Sequence, residues 1–497
     1  MTSEARPRVL AEGQGEGTGG AAPDSAPAAA PSAGTPSAGA LIVVLVGTFI
    51  TVLDFFIANV AIPAIQADLH ATSAQAQMVI VGYGVAFTAG LITGGRLGDL
   101  YGRRRMFALG MAVFMLASAA CSFAGTADVL IVARIAQGAG AALLVPQVLG
   151  IIGTVYTGPA RDRAFNVYGL VIGLAGVFGQ FIGGALITVD LAGMSWRTIF
   201  LINIPLCLVS LAFVRRTIPE SRGAGARLDL VGALLVTASL GLLVFALLEG
   251  QERGWPVWVW ECLAGAAVLL AVTVLHLRRR AAADRGPLIE PSLFRVRLFS
   301  VGLTATVVYF LAMGSFFFIL ALYLQLGRGL SPLESGLLFL AVGAGYFGAS
   351  IGSARLAATV TARRVAVGPL VLAAGYGALA LTADTLGTSG SVLWLLPLLL
   401  VAGVGMGLTT GPLTNLVLGG AAGEHAASAS GLLNTAQEGG AAVGVAIAGT
   451  VFFPALAGGA ADAYPHAFSL TLVPLIALGV LAAALVLLAP GRAAARP

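Results

Sequence analysis

Hydrophobic residues occur in long runs along this chain, and short polar segments separate them. A helix needs about 20 apolar residues to cross a bilayer, and about fourteen runs meet that length. The pattern therefore predicts an all-α membrane protein with fourteen transmembrane helices. Their expected starts lie near Ala40, Gln77, Met106, Val129, Phe165, Thr198, Leu230, Val257, Phe299, Glu334, Val365, Val392, Glu438 and Ala467.

Composition supports this prediction, because 58% of the residues are hydrophobic and only 10% are charged. A soluble domain averages about a quarter charged residues.

The first residues are rich in Ala, Gly, Pro and Ser, which is typical of a disordered tail. The expected organisation is a cytoplasmic tail (1–38), a six-helix bundle (39–218), two extra helices (229–278), a cytoplasmic linker (279–298), a second six-helix bundle (299–489) and a short cytoplasmic tail (490–497).

Arginines are distributed unevenly between alternate loops. The loops that carry Arg103–Arg105, Arg215–Arg216 and Arg278–Arg280 fall on one side, whereas the other side holds little beyond Arg197, Arg253 and Arg328. Cytoplasmic loops are enriched in basic residues. With an even number of spans, both termini are therefore expected in the cytoplasm and the protein in the cell membrane.

The loop between spans 2 and 3 combines glycines, one carboxylate and clustered arginines. Its sequence runs from Gly95 to Arg105 and includes Gly98, Asp99, Gly102, Arg103 and Arg104. Glycines allow two helices and a tight turn to approach closely. The alternative is a generic basic loop that only fixes the topology.

Two charged residues interrupt the apolar spans near mid-membrane. Asp54 in span 1 is costly there, so it should face a cavity, meet a cation or be protonated; the alternative is a purely structural acid. Arg134 in span 4 needs a partner, for which Asp54 is the natural candidate. Alternatively, Arg134 snorkels to the outer surface.

Span 5 contains glycines at intervals of three or four residues, which permits close helix contact and bending. These residues are Gly173, Gly176, Gly179, Gly183 and Gly184, with Gln180 among them.

In order and spacing, these motifs resemble those of the major facilitator superfamily, in particular the drug:proton antiporters with fourteen spans. The resemblance covers about Leu41 to Leu488. It implies two six-helix bundles with two extra central helices, and a role for Asp54 and Arg134 in proton coupling. It also implies that the loop of Gly95, Gly98, Asp99, Gly102, Arg103 and Arg104 is a conformational latch, in which Asp99 meets the start of span 13 and Arg103 braces it.

Two positions depart from that family pattern. Gln180 stands where the span-5 motif usually has proline, which leaves the packing surface intact but removes a kink-forming residue. Glu438 replaces a common glutamine in span 13. It is a second candidate for proton coupling, although a solvated carboxylate at a helix start is the favoured interpretation.

Polarity within the spans, together with the positions that the family resemblance implies, gives a candidate substrate cavity. Besides Asp54 and Gln180, the expected lining residues are Phe55, Asn59, Tyr83, Gln137, Gln147, Tyr309, Phe316, Phe317, Gln325, Asn415 and Asn434. An apolar, aromatic cavity with one carboxylate suits amphipathic molecules, and lipophilic cations in particular. The alternative for the span-9 aromatics is that they face lipid.

Together with the resemblance, these features predict a proton-coupled exporter of drug-like or antibiotic-like molecules, and the resemblance implies that it works as a monomer. The expected partners are a small-molecule substrate, protons and the lipid bilayer, with no nucleic acid, cofactor or metal. Export of an endogenous metabolite or siderophore, uptake of a nutrient, and a non-transporting membrane sensor remain alternatives. The sequence has no phosphate-binding loop, which argues against direct ATP drive. It also has no clustered histidines and no visible nucleophile–base pair, which argues against a membrane-embedded enzyme.

Overall fold

The structure is a computed structural model, and it describes residues 38–222, 229–283, 291–355, 362–418, 426–456 and 463–489. The predicted terminal tails lie outside these residues, except for Ala38, the first residue of the first helix. The structure therefore leaves the expectations for the tails as predictions.

Helices account for nearly all of the described chain, and we number them by span. They are α1 (Ala38–Leu69), α2 (Ser73–Tyr101), α3 (Arg103–Ser122), α4 (Ala127–Val155), α5 (Gly158–Val189), α6 (Ser195–Thr217), α7 (Leu230–Arg253), α8 (Val257–Ala282), α9 (Arg297–Leu322), α10 (Pro332–Arg355), α11 (Ala362–Leu386), α12 (Leu395–Leu418), α13 (Ala426–Ala455) and α14 (Ala463–Leu488). A short 3-10 turn at Ser195–Arg197 opens α6, and a π-helical turn at Tyr323–Gly327 extends α9.

The number of spans agrees with the sequence prediction. Within the described residues, thirteen helices are long and apolar enough to cross a membrane, and α5 makes fourteen if its two parts form one span. The predicted start of span 13 was wrong, because α13 begins at Ala426 and not near Glu438. The first turns of α13 contain small and polar residues, which a hydrophobicity criterion interprets as loop although they belong to the helix.

Each half of the chain repeats the same close helix pairing. In the first half, α2 packs along α4; in the second, α10 packs along α12. Gly94 of α2 and Gly403 of α12 lie at these crossings, where an added Cβ would overlap the backbone carbonyls of Ala142 and Val342, respectively. Such contacts between small residues are typical of helices that associate within membranes.

The two extra helices, α7 and α8, pack on each other at the edge of the molecule and are the least buried of the spans. α7 also contacts α2 and α13. The two halves meet directly where α5 packs against α10 and where α2 packs against α13. These two seams enclose the space in which the candidate site lies.

Candidate transport cavity and buried ion pair

A cavity of about 230 Å³ lies between the two halves of the chain. Four helices of the first half (α1, α2, α4 and α5) and four of the second (α9, α10, α12 and α13) supply its wall. The wall is predominantly apolar, which is the usual character of a site for small organic molecules. Any ligand held here would touch both halves at once.

Aromatic rings form a continuous contact across this cavity. Phe56 of α1 meets Phe317 of α9 with ring centroids 5.2 Å apart in an edge-to-face arrangement. Phe317 in turn stacks on Phe339 of α10 at 5.8 Å. Because all three residues line the cavity, they offer ring faces and edges to a flat apolar ligand.

Among the described residues of the cavity wall, Glu438 is the acidic one. It is the thirteenth residue of α13, which begins at Ala426, and so it lies in the middle of a span. The favoured interpretation of Glu438 as a solvated carboxylate at a helix start was therefore wrong. None of the described residues forms an ion pair or a hydrogen bond with its side chain, and Gln437 and Asn434 are its polar neighbours on the wall.

Asp54 and Arg134 form an ion pair from which solvent is fully excluded. Both side chains are 0% exposed, and Arg134 Nη1 donates to Asp54 Oδ2. Two amides complete the carboxylate's shell: Gln137 Nε2 donates to Oδ1 at 2.8 Å, and Asn203 Nδ2 donates to the same oxygen at 3.0 Å. Arg134 therefore has the partner that its position demanded, and the snorkelling alternative does not hold.

Further contacts fix the guanidinium of Arg134. Its Nε donates to the carbonyl of Val79 on α2 at 2.9 Å, and its carbon lies 4.3 Å from the ring centroid of Tyr83. Nη1 also donates to Gln137 Oε1 at 2.7 Å. A buried ion pair is stable only when its remaining polar atoms are satisfied, and this network meets most of that requirement.

Only some of the residues expected to line the cavity do so. Phe55, Gln180, Phe317 and Asn434 lie on its wall. Others expected there are not among the described wall residues, namely Asp54, Asn59, Tyr83, Gln137, Gln147, Tyr309, Phe316, Gln325 and Asn415. The physical reason is that a polar residue within a span can serve a helix–helix interface as well as a cavity, and its residue type does not distinguish the two.

Several of these residues instead hold helices together. Gln147 of α4 donates to the carbonyl of Gly94 on α2 at 2.7 Å, and Gln325 donates to the carbonyl of Val60 on α1 at 2.9 Å. Tyr309 supports the cavity from behind, because its hydroxyl lies 2.9 Å from that of Thr410, a wall residue.

Four more residues that were expected on the cavity wall have other surroundings. Asn59 donates to the carbonyl of Phe55 within α1 at 3.0 Å, and Phe316 packs against Tyr376 with ring centroids 4.7 Å apart. Tyr83 donates to the carbonyl of Thr51 at 3.3 Å, while Asn415 is exposed.

The glycines of α5 permit close contacts with two helices, α1 and α10. A Cβ on Gly179 would lie 2.9 Å from the Cβ of Phe56, and a Cβ on Gly176 would lie 3.3 Å from the ring of Phe56. On another face, an added Cβ on Gly184 would overlap the carbonyl of Pro332 at the start of α10. Gly173 and Gly183 lie close to Phe347 and Ile57 in the same way. The packing surface expected from the sequence is thus present.

α5 nevertheless bends by 42° between Gly176 and Phe178. Gln180 in place of proline removes a kink-forming residue, and α5 is bent without it. Glycine-rich segments bend where neighbouring helices press on them, and Gly176 and Gly179 flank this bend. The motif does not need its proline for the bent shape.

The loop between α2 and α3 is held by two acidic residues. Arg103 pairs with Asp99 at 2.9 Å and also donates to the carbonyl of Gly150 on α4 at 3.0 Å. The brace expected from Arg103 is present. Contact between Asp99 and the start of span 13 stays a prediction, since residues 419–425, which precede α13, lie outside the described part.

Glu220, which follows α6, is a loop residue that the sequence analysis missed. It accepts a hydrogen bond from the backbone N–H of Arg104 at 3.0 Å and lies 3.6 Å from the side chains of Arg104 and Arg105. Gly102 has a φ of 107°, and a Cβ there would lie 2.5 Å from Glu220 Oε1. Gly102 therefore leaves room for the carboxylate, whereas Gly95 and Gly98 face Pro146 and Gln147 of α4.

Comparisons with known proteins agree with this architecture. Residues 44–445 match the family model described as Major Facilitator Superfamily. The chain is 40% identical to the probable actinorhodin transporter of Streptomyces coelicolor, over 83% of this chain and 72% of that protein. It is 34% identical to the puromycin resistance protein pur8 of Streptomyces alboniger, over 85% and 83% of the respective chains.

A third relative is the tetracenomycin C resistance and export protein of Streptomyces glaucescens, at 32% identity over 84% of this chain and 78% of that protein. Solved structures with a similar fold include a peptide transporter POT in complex with sulfate, with a TM-score of 0.65 and 18% identity over 90% and 94% of the two chains. A D-xylose-proton symporter has a TM-score of 0.62 at 15% identity, over 90% and 96%. The chain therefore belongs to the Major Facilitator Superfamily.

Proposed function

We propose that this protein exports drug-like or antibiotic-like organic molecules across the cell membrane in exchange for protons. It works as a monomer by alternating access, with both termini in the cytoplasm. The relatives named for antibiotic transport, resistance or export support the substrate class, and the cavity between the two halves supports the mode of transport. The uneven distribution of arginines supports the orientation.

The observation that carries proton coupling is the sealed pair of Asp54 and Arg134. A proton on Asp54 removes the negative charge that compensates Arg134, so the network cannot keep the same free energy in both protonation states. The pair joins α1 to α4, and Asn203 adds α6. Protonation thus changes the relative stability of two helix arrangements, which is what alternating access requires.

Asp54 is directly connected to the cavity through the backbone of α1. The next two residues, Phe55 and Phe56, line the cavity, and so does Thr51 one turn earlier. A small rotation of α1 that follows release of Arg134 would therefore move the aromatic wall. Substrate and proton then affect each other without contact between them.

Glu438 supplies a second acid, which faces the cavity itself. A carboxylate in an apolar environment is costly unless it is protonated or paired with a cation. In the proposed cycle, Glu438 takes a proton when the cavity is empty and loses it when a cationic substrate arrives. The surrounding aromatic rings add cation–π attraction for such a substrate.

The test of coupling is Asp54→Asn in proteoliposomes with an imposed pH gradient. We expect proton-driven substrate exchange to be abolished while the protein remains folded and inserted, because the amide cannot carry the proton. Asp68→Asn is the matched control, since Asp68 lies at the end of the same helix, where it pairs with Arg197. That variant should retain exchange; full-rate exchange by Asp54→Asn would refute the coupling role.

Direction and substrate class need a cell assay. A drug-sensitive host that carries the gene should survive higher concentrations of aromatic antibiotics such as puromycin, and collapse of the proton gradient should remove the protection. An uptake carrier would give the opposite result, namely greater sensitivity. Unchanged sensitivity across a broad panel of toxic compounds would argue against export of drug-like molecules.

A further inference from the structure

Gln180 differs from the other buried side-chain amides of this protein. Its side chain is 1% exposed, and neither Oε1 nor Nε2 has a hydrogen-bond partner among the described residues. By contrast, Gln137 and Gln147 each donate hydrogen bonds to oxygen acceptors on other helices. Of the described amide side chains, Gln180 is the one in which both polar atoms are buried and unsatisfied.

Such an arrangement is unfavourable in the empty protein. A buried donor or acceptor without a partner loses its interaction with water and gains nothing in exchange. Native structures contain few such groups, so each one calls for a physical explanation. A ligand that completes the hydrogen bonds is one such explanation, and the position of Gln180 favours it.

Gln180 lies on the cavity wall at the seam between the two halves. Its backbone carbonyl faces Gly336 of α10, where an added Cβ would lie only 2.8 Å away. Phe339 lies on the same helix as Gly336 and lines the cavity. Phe56 of α1 and Phe317 of α9 line it as well. Gln180 therefore lies beside α10, whose Phe339 belongs to the aromatic part of the wall, at a seam that must part during alternating access.

We propose that Gln180 is a hydrogen-bonding subsite for the transported molecule. A primary amide presents one acceptor and one donor group in a plane. Its complement is a neighbouring donor and acceptor on the ligand, as in a carboxamide or carboxylic acid, attached to a flat aromatic frame that the phenylalanine rings accommodate. This proposal rests on the proposed export function and specifies which molecules the cavity prefers.

The test is a binding measurement on the purified full-length protein with two matched probes. 2-Naphthamide carries the complementary donor and acceptor, whereas N,N-dimethyl-2-naphthamide has the same frame without the donors. We expect the wild-type protein to bind the first about tenfold more tightly, the effect of one or two net hydrogen bonds. Gln180→Leu and Gln180→Met should each bind both probes equally, with affinity for the dimethyl probe unchanged within about twofold.

Gln437→Leu is the comparison variant, because Gln437 is another glutamine on the same wall. It should keep the preference if Gln180 is the subsite. Equal binding of the two probes by the wild-type protein, no binding of 2-naphthamide, or loss of the preference in Gln437→Leu alone would each overturn the proposal. The assay needs no proton gradient. Failure of the subsite with intact Asp54-dependent exchange would therefore leave the proposed function standing, and failure of exchange with an intact preference would refute only the function.

Discussion

Asp54 and Glu438 are both carboxylates within membrane-length helices, but their surroundings are opposite. Each lies in the middle of a long helix, one in the first half of the chain and one in the second. Asp54 accepts hydrogen bonds from an arginine and two amides and is 0% exposed. Glu438 has no described partner and lies on the wall of the cavity.

This contrast indicates a division of roles between the two halves. A fully compensated carboxylate can change its charge only if several helices rearrange, so Asp54 is suited to controlling conformation. An uncompensated carboxylate on the cavity wall responds to whatever enters, so Glu438 is suited to sensing the substrate. Two acids within membrane-length helices can thus act at different steps of one transport cycle.

The largest expected effect comes from removal of the cation beside Asp54. Arg134→Met should lower the free energy of unfolding by about 3–5 kcal/mol, because it leaves a buried carboxylate without its counter-charge. The double variant Asp54→Asn/Arg134→Met, which removes both charges, should recover most of that loss. Unfolding in mixed detergent micelles measures both values. A double variant as unstable as the single one would show that ionic compensation is not what stabilises the site.

The next largest effect is expected from substitution of Glu438, and it should change transport but not the stability of the fold. In the proposed cycle Glu438 is protonated while the cavity is empty, and glutamine is a neutral side chain of nearly the same size. Glu438→Gln should therefore change the free energy of unfolding of the empty protein by less than about 0.5 kcal/mol. Exchange of a lipophilic cation such as tetraphenylphosphonium should fall about tenfold, equivalent to roughly 1.4 kcal/mol of lost attraction.

Glu334→Gln provides the matched control for that experiment. Glu334 accepts hydrogen bonds from Ser331 at the start of α10 and lies away from the cavity wall. Its substitution should leave cation exchange unchanged. Equal losses in both variants would mean that net charge, and not the position of Glu438, determines the effect.

The fold was predictable because membrane-length apolar runs leave little choice of structure. Long hydrophobic segments must become helices in a bilayer, since their backbone polar groups have no other partners. Span 13 was misplaced because its first turns resemble a loop in composition, and this error led directly to the misassignment of Glu438. The cost of burying charge also made Asp54 and Arg134 recognisable in the sequence before their contact was known.

Most of the cavity wall was not predictable, for a different reason. Whether Gln147 faces a cavity or a neighbouring helix depends on the rotation of α4, which no single residue determines. Glu220 was missed because its partners Arg104 and Arg105 lie more than a hundred residues earlier in the chain, and nothing near Glu220 indicates that contact. Tertiary packing supplies this information, and one sequence does not contain it in readable form.

A small change in stability is expected from a partly exposed counterpart of the buried pair. Asp99 and Arg103 also form an acid–arginine bridge, but their side chains are 29% and 20% exposed and four residues apart. Such pairs contribute about 0.3–0.5 kcal/mol, because water already stabilises the separated charges. Asp99→Asn should therefore lower the free energy of unfolding by less than about 1 kcal/mol.

Transport should respond to Asp99→Asn more strongly than stability does, if the loop acts as a latch that breaks and re-forms in every cycle. The turnover rate in proteoliposomes, measured beside the unfolding free energy of the same preparation, separates the two effects. Glu220→Gln serves as the comparison, because Glu220 holds Arg104 and Arg105 but not Arg103. A loss of stability in Asp99→Asn as large as that in Arg134→Met would show that burial is not what separates the two acid–arginine pairs.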